Sequence, residues 1–151
     1  MSRINDAFRV ANLGLEKLLN VQPNERIAIM TDQSSEREHP EIIEMFRVLS
    51  HDRGADCVVI SIADMKRGNE VIPQSALNVL ESIDVLIALT RSTSASFRNK
   101  RAVELLDGKK IRVLNMVQRS WDDFLSPTVM EANYEKMLKL EKVWAELVTN
   151  G

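Results

Sequence analysis

The sequence is poor in the residues that usually announce chemistry. One cysteine, Cys57, in 151 residues excludes an internal disulfide framework. It sits in the apolar run Cys57-Val58-Val59-Ile60, as a small buried hydrophobe would. Five glycines leave little material for a phosphate cradle, and neither G-x-G-x-x-G nor G-x-x-x-x-G-K-[ST] occurs. The two histidines, His39 and His51, lie outside any H-E-x-x-H or carboxylate spacing, so neither reads as a metal ligand. No G-x-S-x-G elbow and no cysteine–histidine pair stands out. A net charge of −2 with a pI near 5.8 gives no electrostatic footprint for nucleic acid, nor for an anionic membrane surface. No apolar run approaches the roughly 20 residues of a membrane span. The polar start Met1-Ser2-Arg3-Ile4-Asn5-Asp6 lacks the apolar core of a signal peptide, which points to the cytoplasm.

What is present is an alternation. With 44% hydrophobic and 28% charged residues, the chain has the balance of one globular domain spanning 1–151. Phe8, Ala11, Leu15 and Leu18 recur at helical spacing, predicting a helix from Asn5 to Leu19. Arg26 to Thr31 reads as a buried strand. Pro40 to Arg53 reads as a helix with Ile42, Met45, Phe46 and Leu49 on its apolar face and Gly54 past its end. Strands over Asp56–Ile62, Val85–Leu89 and Ile111–Met116 alternate with helices over Pro73–Ile83 and Arg98–Leu106. Ser120 and Asp123 have capping-box spacing before a short helix. Ser126-Pro127 then opens a long helix with Met130, Tyr134, Met137, Trp144 and Leu147 along one face. The strands read as continuous apolar runs, as parallel strands buried on both faces do. The fold predicted is α/β: a Rossmann-like or flavodoxin-like three-layer sandwich, its four-stranded, mainly parallel sheet in the order 2-1-3-4 with helices on both faces.

In such sheets ligands bind beyond the carboxyl ends of the strands, where strand order reverses, here between the first and third. The exit loops are Thr31-Asp32-Gln33-Ser34-Ser35 and Thr90-Arg91-Ser92-Thr93-Ser94-Ala95-Ser96. The second leads into Phe97-Arg98-Asn99-Lys100-Arg101, placing cations at a helix start against the macrodipole. Thr31, Asp32, Thr90, Arg91, Ser92, Ser94 and Arg98 are therefore the candidate ligand-binding residues, suited to a small anion. The same cations equally suit water, Asp32, Glu104 or a neighbouring domain. Asp32 suits a ribose, a metal, a proton-transfer role or the cap of the next turn. Glu36, Arg37, Glu38 and His39 read as a solvated loop.

Three segments carry a family resemblance. Val21-Gln22-Pro23-Asn24-Glu25-Arg26-Ile27-Ala28-Ile29-Met30-Thr31-Asp32, after Ala11-Asn12-Leu13-Gly14-Leu15, resembles the opening helix, turn and strand of the thermophilic metallo-aminopeptidases. This is the aminopeptidase S and aminopeptidase T group, leucyl aminopeptidase-like. Ala88 to Ser94 is similar to that family's hydroxyl- and arginine-rich loop, and Arg112 to Met116 with Trp121 to Leu125 is similar to its later strand and helix. Asn24 stands where the family pattern has glycine, and Ala95 about where it has histidine. The resemblance implies a non-catalytic amino-terminal domain that walls a cleft and supports a homodimer. It also implies a carboxyl-terminal catalytic domain holding a divalent metal such as zinc or cobalt, with no ligand in this chain. As an alternative, the same architecture resembles that of 2,5-dihydroxypyridine dioxygenases, whose single iron is likewise held outside this part. Two other readings stay open: a free-standing module for a small anionic ligand, and an oligomerisation module built on the terminal helix.

Overall fold

A computed structural model describes residues 3–64, 72–91, 100–137 and 139–140. Helix α1 (Arg3–Leu13) runs into a π-helical turn, Gly14–Leu18. Then follow β1 (Arg26–Asp32), α2 (Gln33–Glu38), α3 (Pro40–Asp52), β2 (Asp56–Ile62), α4 (Gln74–Leu80) and β3 (Val85–Leu89). The chain continues through α5 (Lys100–Gly108), β4 (Arg112–Asn115), α6 (Trp121–Leu125) and α7 (Pro127–Met130). All three strand pairings are parallel and the order is β2-β1-β3-β4, as the alternation predicts.

Alternation along the central strands divides the core in two. Ile27 and Ile29 of β1, with Val85 and Ile87 of β3, meet Ala7, Ala11, Leu15, Ile42 and Phe46 of the first helix and α3. Ala28 and Met30, with Leu86 and Ala88, face α4 and α5 through Ala76, Leu80, Ala102 and Leu105. Helices therefore cover both faces, which closes the three-layer sandwich. Cys57 is buried and its thiol is pushed up by that burial, in keeping with an inert packing residue.

Five local expectations need correction. The first helix is not one α-helix from Asn5 to Leu19. Gly14 packs so close to Phe46 and Leu114 that an added Cβ would lie 2.9 Å from each. From Gly14 onward the helix widens, the Leu19 amide bonding the Gly14 carbonyl five residues back at 2.9 Å. That extra residue turns Leu19 inward and leaves Leu18 40% exposed, while Phe8, off the buried face, is 48% exposed. Second, the expected loop at 33–38 is helix α2, which Asp32 caps. Third, β2 does not bury both faces: as an edge strand it leaves Val58 and Val59 exposed. Fourth, the helix expected to end at Leu106 runs on to Gly108, and the left-handed residue after it is Lys110 at φ 53°. Fifth, the long closing helix breaks after Met130. Asn133 Oδ1 accepts from the Lys136 amide at 2.9 Å and so starts a new helical segment. Trp144 and Leu147 of the expected stripe lie outside the described residues, and Met137 is exposed.

The two ends of the sheet differ in kind. At the amino ends, an exposed ion pair joins Arg26 to Asp84 and a half-buried one joins Arg112 to Glu25. Asn24 enters β1 at φ 66°, a conformation asparagine tolerates better than most side chains. At the carboxyl ends buried polar groups, Thr31, Asp32, Ser35, His39 and Thr90, sit beneath exposed charged ones.

Candidate functional site

Among the described residues six polar ones are buried: Thr31, Asp32, Ser35, His39, Ser50 and Thr90. All but Ser50 lie at or just beyond the carboxyl ends of β1 and β3. The reversal of strand order separates these exits, because α3 and β2 carry the chain one way and β3 and β4 lie the other.

Asp32 is the tie between them. Its extended backbone ends β1, and Oδ1 accepts the Ser35 amide at 2.9 Å, capping α2. The same oxygen accepts the Arg91 amide at 3.0 Å, across from β3. One fully buried carboxylate oxygen thus satisfies amides of two exit loops. The exit of β2 joins through Asp64, which accepts the Ser34 amide and hydroxyl, both at 2.8 Å, and Arg37 at 3.3 Å.

Arg91 and His39 bind the exit of β4. The Arg91 guanidinium pairs with Glu38 at 3.1 Å and donates to the Gln118 carbonyl at 3.3 Å. The Gln118 amide returns a bond to the Thr90 carbonyl at 2.8 Å. His39, between α2 and α3, lies 3.1 Å through Nε2 from the Arg119 carbonyl. A carbonyl only accepts, so Nε2 carries the proton and Nδ1 holds a buried lone pair without a hydrogen-bond partner. The ring meets Trp121 and Phe124 edge-on at centroid distances of 5.8 and 5.4 Å.

Of the sequence candidates, Thr31, Asp32, Thr90 and Arg91 come together here. Ser92, Ser94 and Arg98 lie outside the described residues. Lys100 and Arg101, which crowd the start of α5, pair with Glu104 and with Glu81 and Glu104 respectively. Sequence reasoning missed Ser35, Glu38, His39 and Asp64. Only the Asp32–Ser35 spacing of a capped helix start signalled any of them.

Burial dominates the titration of His39 and lowers its pKa, outweighing the Arg119 carbonyl and Glu38, which raise it; Arg91 and Arg3 lower it further. The unfolded chain, with a histidine near 6.5, takes up the proton first as pH falls. His39 therefore contributes stability that is present above about pH 6.5 and lost as pH falls through the lowered folded value. Urea denaturation between pH 7.5 and 5 checks this. His39→Gln is expected to flatten the slope in that window, and an unchanged slope would assign the proton uptake elsewhere.

The described residues do not fit a catalytic metal. They contain no group of three histidine, cysteine, aspartate or glutamate side chains able to hold one. The imidazole Nε2 and Asp32 Oδ1 are engaged by backbone groups. Among the described residues no helix is long and apolar enough to cross a membrane. A cavity of about 340 Å³ opens beside the crevice, not over it, at the carboxyl end of β4.

No family model and no curated protein matches the chain. Among solved structures, 2,5-dihydroxypyridine dioxygenase from Pseudomonas putida KT2440 aligns with a TM-score of 0.55 at 9% identity. The alignment covers 75% of this chain and 34% of that one, so the chain spans about a third of the neighbour's length. At this identity the likeness shows the fold alone. It overturns the resemblance to the metallo-aminopeptidases, for which no match supports a family assignment. The segments that carried that resemblance are ones a doubly wound sheet generates for its own reasons: a left-handed turn at Asn24 into β1, hydroxyls at the β3 exit, and a capped helix after β4. What stands is the fold of a parallel α/β sheet shared with part of a dioxygenase.

Proposed function

We propose that this chain is an α/β domain of a 2,5-dihydroxypyridine dioxygenase-like enzyme and that it walls the cleft without holding the metal. The observation that carries the reading is the shared fold, which takes in 75% of this chain and only 34% of the dioxygenase. The buried ties at the carboxyl ends of β1 and β3 support it. Asp32 Oδ1, the Arg91–Glu38 pair and His39 Nε2 fix the loops, which suits a rigid wall. In this reading Thr31, Asp32, Thr90, Arg91, Ser92, Ser94 and Arg98 border the cleft. A further domain supplies the divalent metal, and a homodimer in the cytoplasm is the working form.

A second reading, a module for a small anion at the same loops, draws on Ser35. Its hydroxyl is buried at 1% exposure with no hydrogen-bond partner.

The test takes the reading frame downstream of Gly151 in the source genome together with oxygen uptake. The expected result is a continuing frame with clustered histidines and carboxylates. The full-length protein, loaded with Fe(II), is expected to consume oxygen with 2,5-dihydroxypyridine, and the 151-residue chain alone to consume none. Turnover by the short chain, or an iron-loaded full-length protein that leaves oxygen untouched, overturns the proposal. A frame that stops at Gly151 also overturns it and brings the anion module forward.

A further inference from the structure

The cavity at the carboxyl end of β4 carries an inference independent of the dioxygenase-like reading. It lies between the first helix with its π turn and the α6–α7 pair, over Leu114 and Met116. Val10, Phe124 and Met130 complete an apolar bed, and Arg119 and Asp123 stand at its polar side. We propose that this cavity binds a small monocarboxylate with an apolar body.

Its volume of about 340 Å³ falls at the lower end of small-molecule pockets. At roughly 30 Å³ for each water-sized group, it admits about ten non-hydrogen atoms. The walls are shaped by departures from regular backbone. The π turn sends Leu19 into the core and leaves Leu18 bordering the cavity, which accounts for a leucine at 40% exposure. Such turns recur at functional sites.

The charge is placed as deliberately as the bed. Gln118 takes φ 59°, an unusual conformation for its side chain, and turns the chain into Arg119. Besides the Arg91 bond to the Gln118 carbonyl, three hydrogen bonds to its main chain hold this turn. Val117 donates to Asn115 Oδ1 at 3.1 Å, Gln118 donates to the Thr90 carbonyl at 2.8 Å, and the Arg119 carbonyl accepts from His39 at 3.1 Å. The Arg119 guanidinium makes no hydrogen bond or ion pair among the described residues. A carboxylate offers it the planar, paired acceptors that an arginine fork fits. Asp123 limits the charge of the guest. Its Oδ2 is held by the Ser120 amide at 2.8 Å and hydroxyl at 2.9 Å, so it stays a carboxylate facing the same space. Arg119, whose charge already acts on Asp123, keeps its hydrogen-bond fork for one carboxylate, and the Asp123 charge disfavours a dianionic phosphate.

The experiment titrates the protein with octanoate and with octanamide, its uncharged counterpart of the same size, following backbone amides by NMR. Octanoate is expected to shift Leu18, Arg119 and Met130 with a Kd of about 1 mM or below. It is expected to bind at least about fivefold more tightly than octanamide. Arg119→Gln should erase that preference and leave octanamide unchanged. Thr128→Trp, which fills the exposed mouth of the cavity, should block both while the melting temperature holds. Equal affinities in the unaltered protein, a preference that survives Arg119→Gln, or no response to either compound overturns the proposal.

Discussion

Asp32→Ala is expected to lower the melting temperature by about 10 °C, one of the two largest single effects in the domain. The substitution removes the acceptor of two amides, Ser35 at 2.9 Å and Arg91 at 3.0 Å, in a place with no exposure to water. A buried donor left without a partner costs about 1–3 kcal/mol, so the pair costs about 3 kcal/mol or more. That is a large share of the roughly 5–15 kcal/mol that holds a domain folded. Asp32→Asn keeps an oxygen where Oδ1 stands and loses only the charge, so about 1 kcal/mol is expected. Thermal melting of both variants separates a structural carboxylate from a solvated one. Loss confined to about 0.5 kcal/mol in the alanine variant would mean that the two loops hold without their tie.

That prediction also marks how far the sequence could be read. The order of the strands and the meeting of Thr31, Asp32, Thr90 and Arg91 followed from four apolar runs and the rule that ligands gather where strand order reverses. The capping role of Asp32 was one of several readings open in the sequence, and Ser35 three residues on is its partner. Its second bond, to the Arg91 amide, joins residues 59 apart, and no local pattern encodes it. His39 is the sharper case. Its neighbours Glu36, Arg37 and Glu38 are polar, so the stretch resembles a loop. Yet the ring is buried by Trp121, Phe124 and the Arg119 carbonyl, about 80 positions away. The apolar run in β2 misled for a related reason. An edge strand and a central strand share a composition, and only the order of strands leaves Val58 and Val59 exposed.

The two phenylalanines of the first helix and α3 test the same lesson by energy. Both stand at helical spacing among apolar residues, and periodicity alone treats them alike. Phe46 is fully buried, one of the largest side chains with no exposure, and its ring sits against Gly14, where the first helix comes closest. Phe46→Ala opens a cavity between that helix and the sheet, and the backbone around Gly14 has no side chain with which to fill it. The expected loss is about 3–5 kcal/mol, read from urea denaturation at constant m-value. Phe8 lies on the other side of the turn, 48% exposed, because the buried face runs through Ala7, Val10 and Ala11 and then shifts at the π turn to Leu19. Phe8→Ala should change stability by no more than about 0.5 kcal/mol. Comparable losses at the two positions would put Phe8 on the buried face of the first helix, as the spacing predicts. A wide gap between them sets the buried face of the first helix through Ala7, Val10 and Ala11, with Phe46 filling the space where Gly14 comes closest.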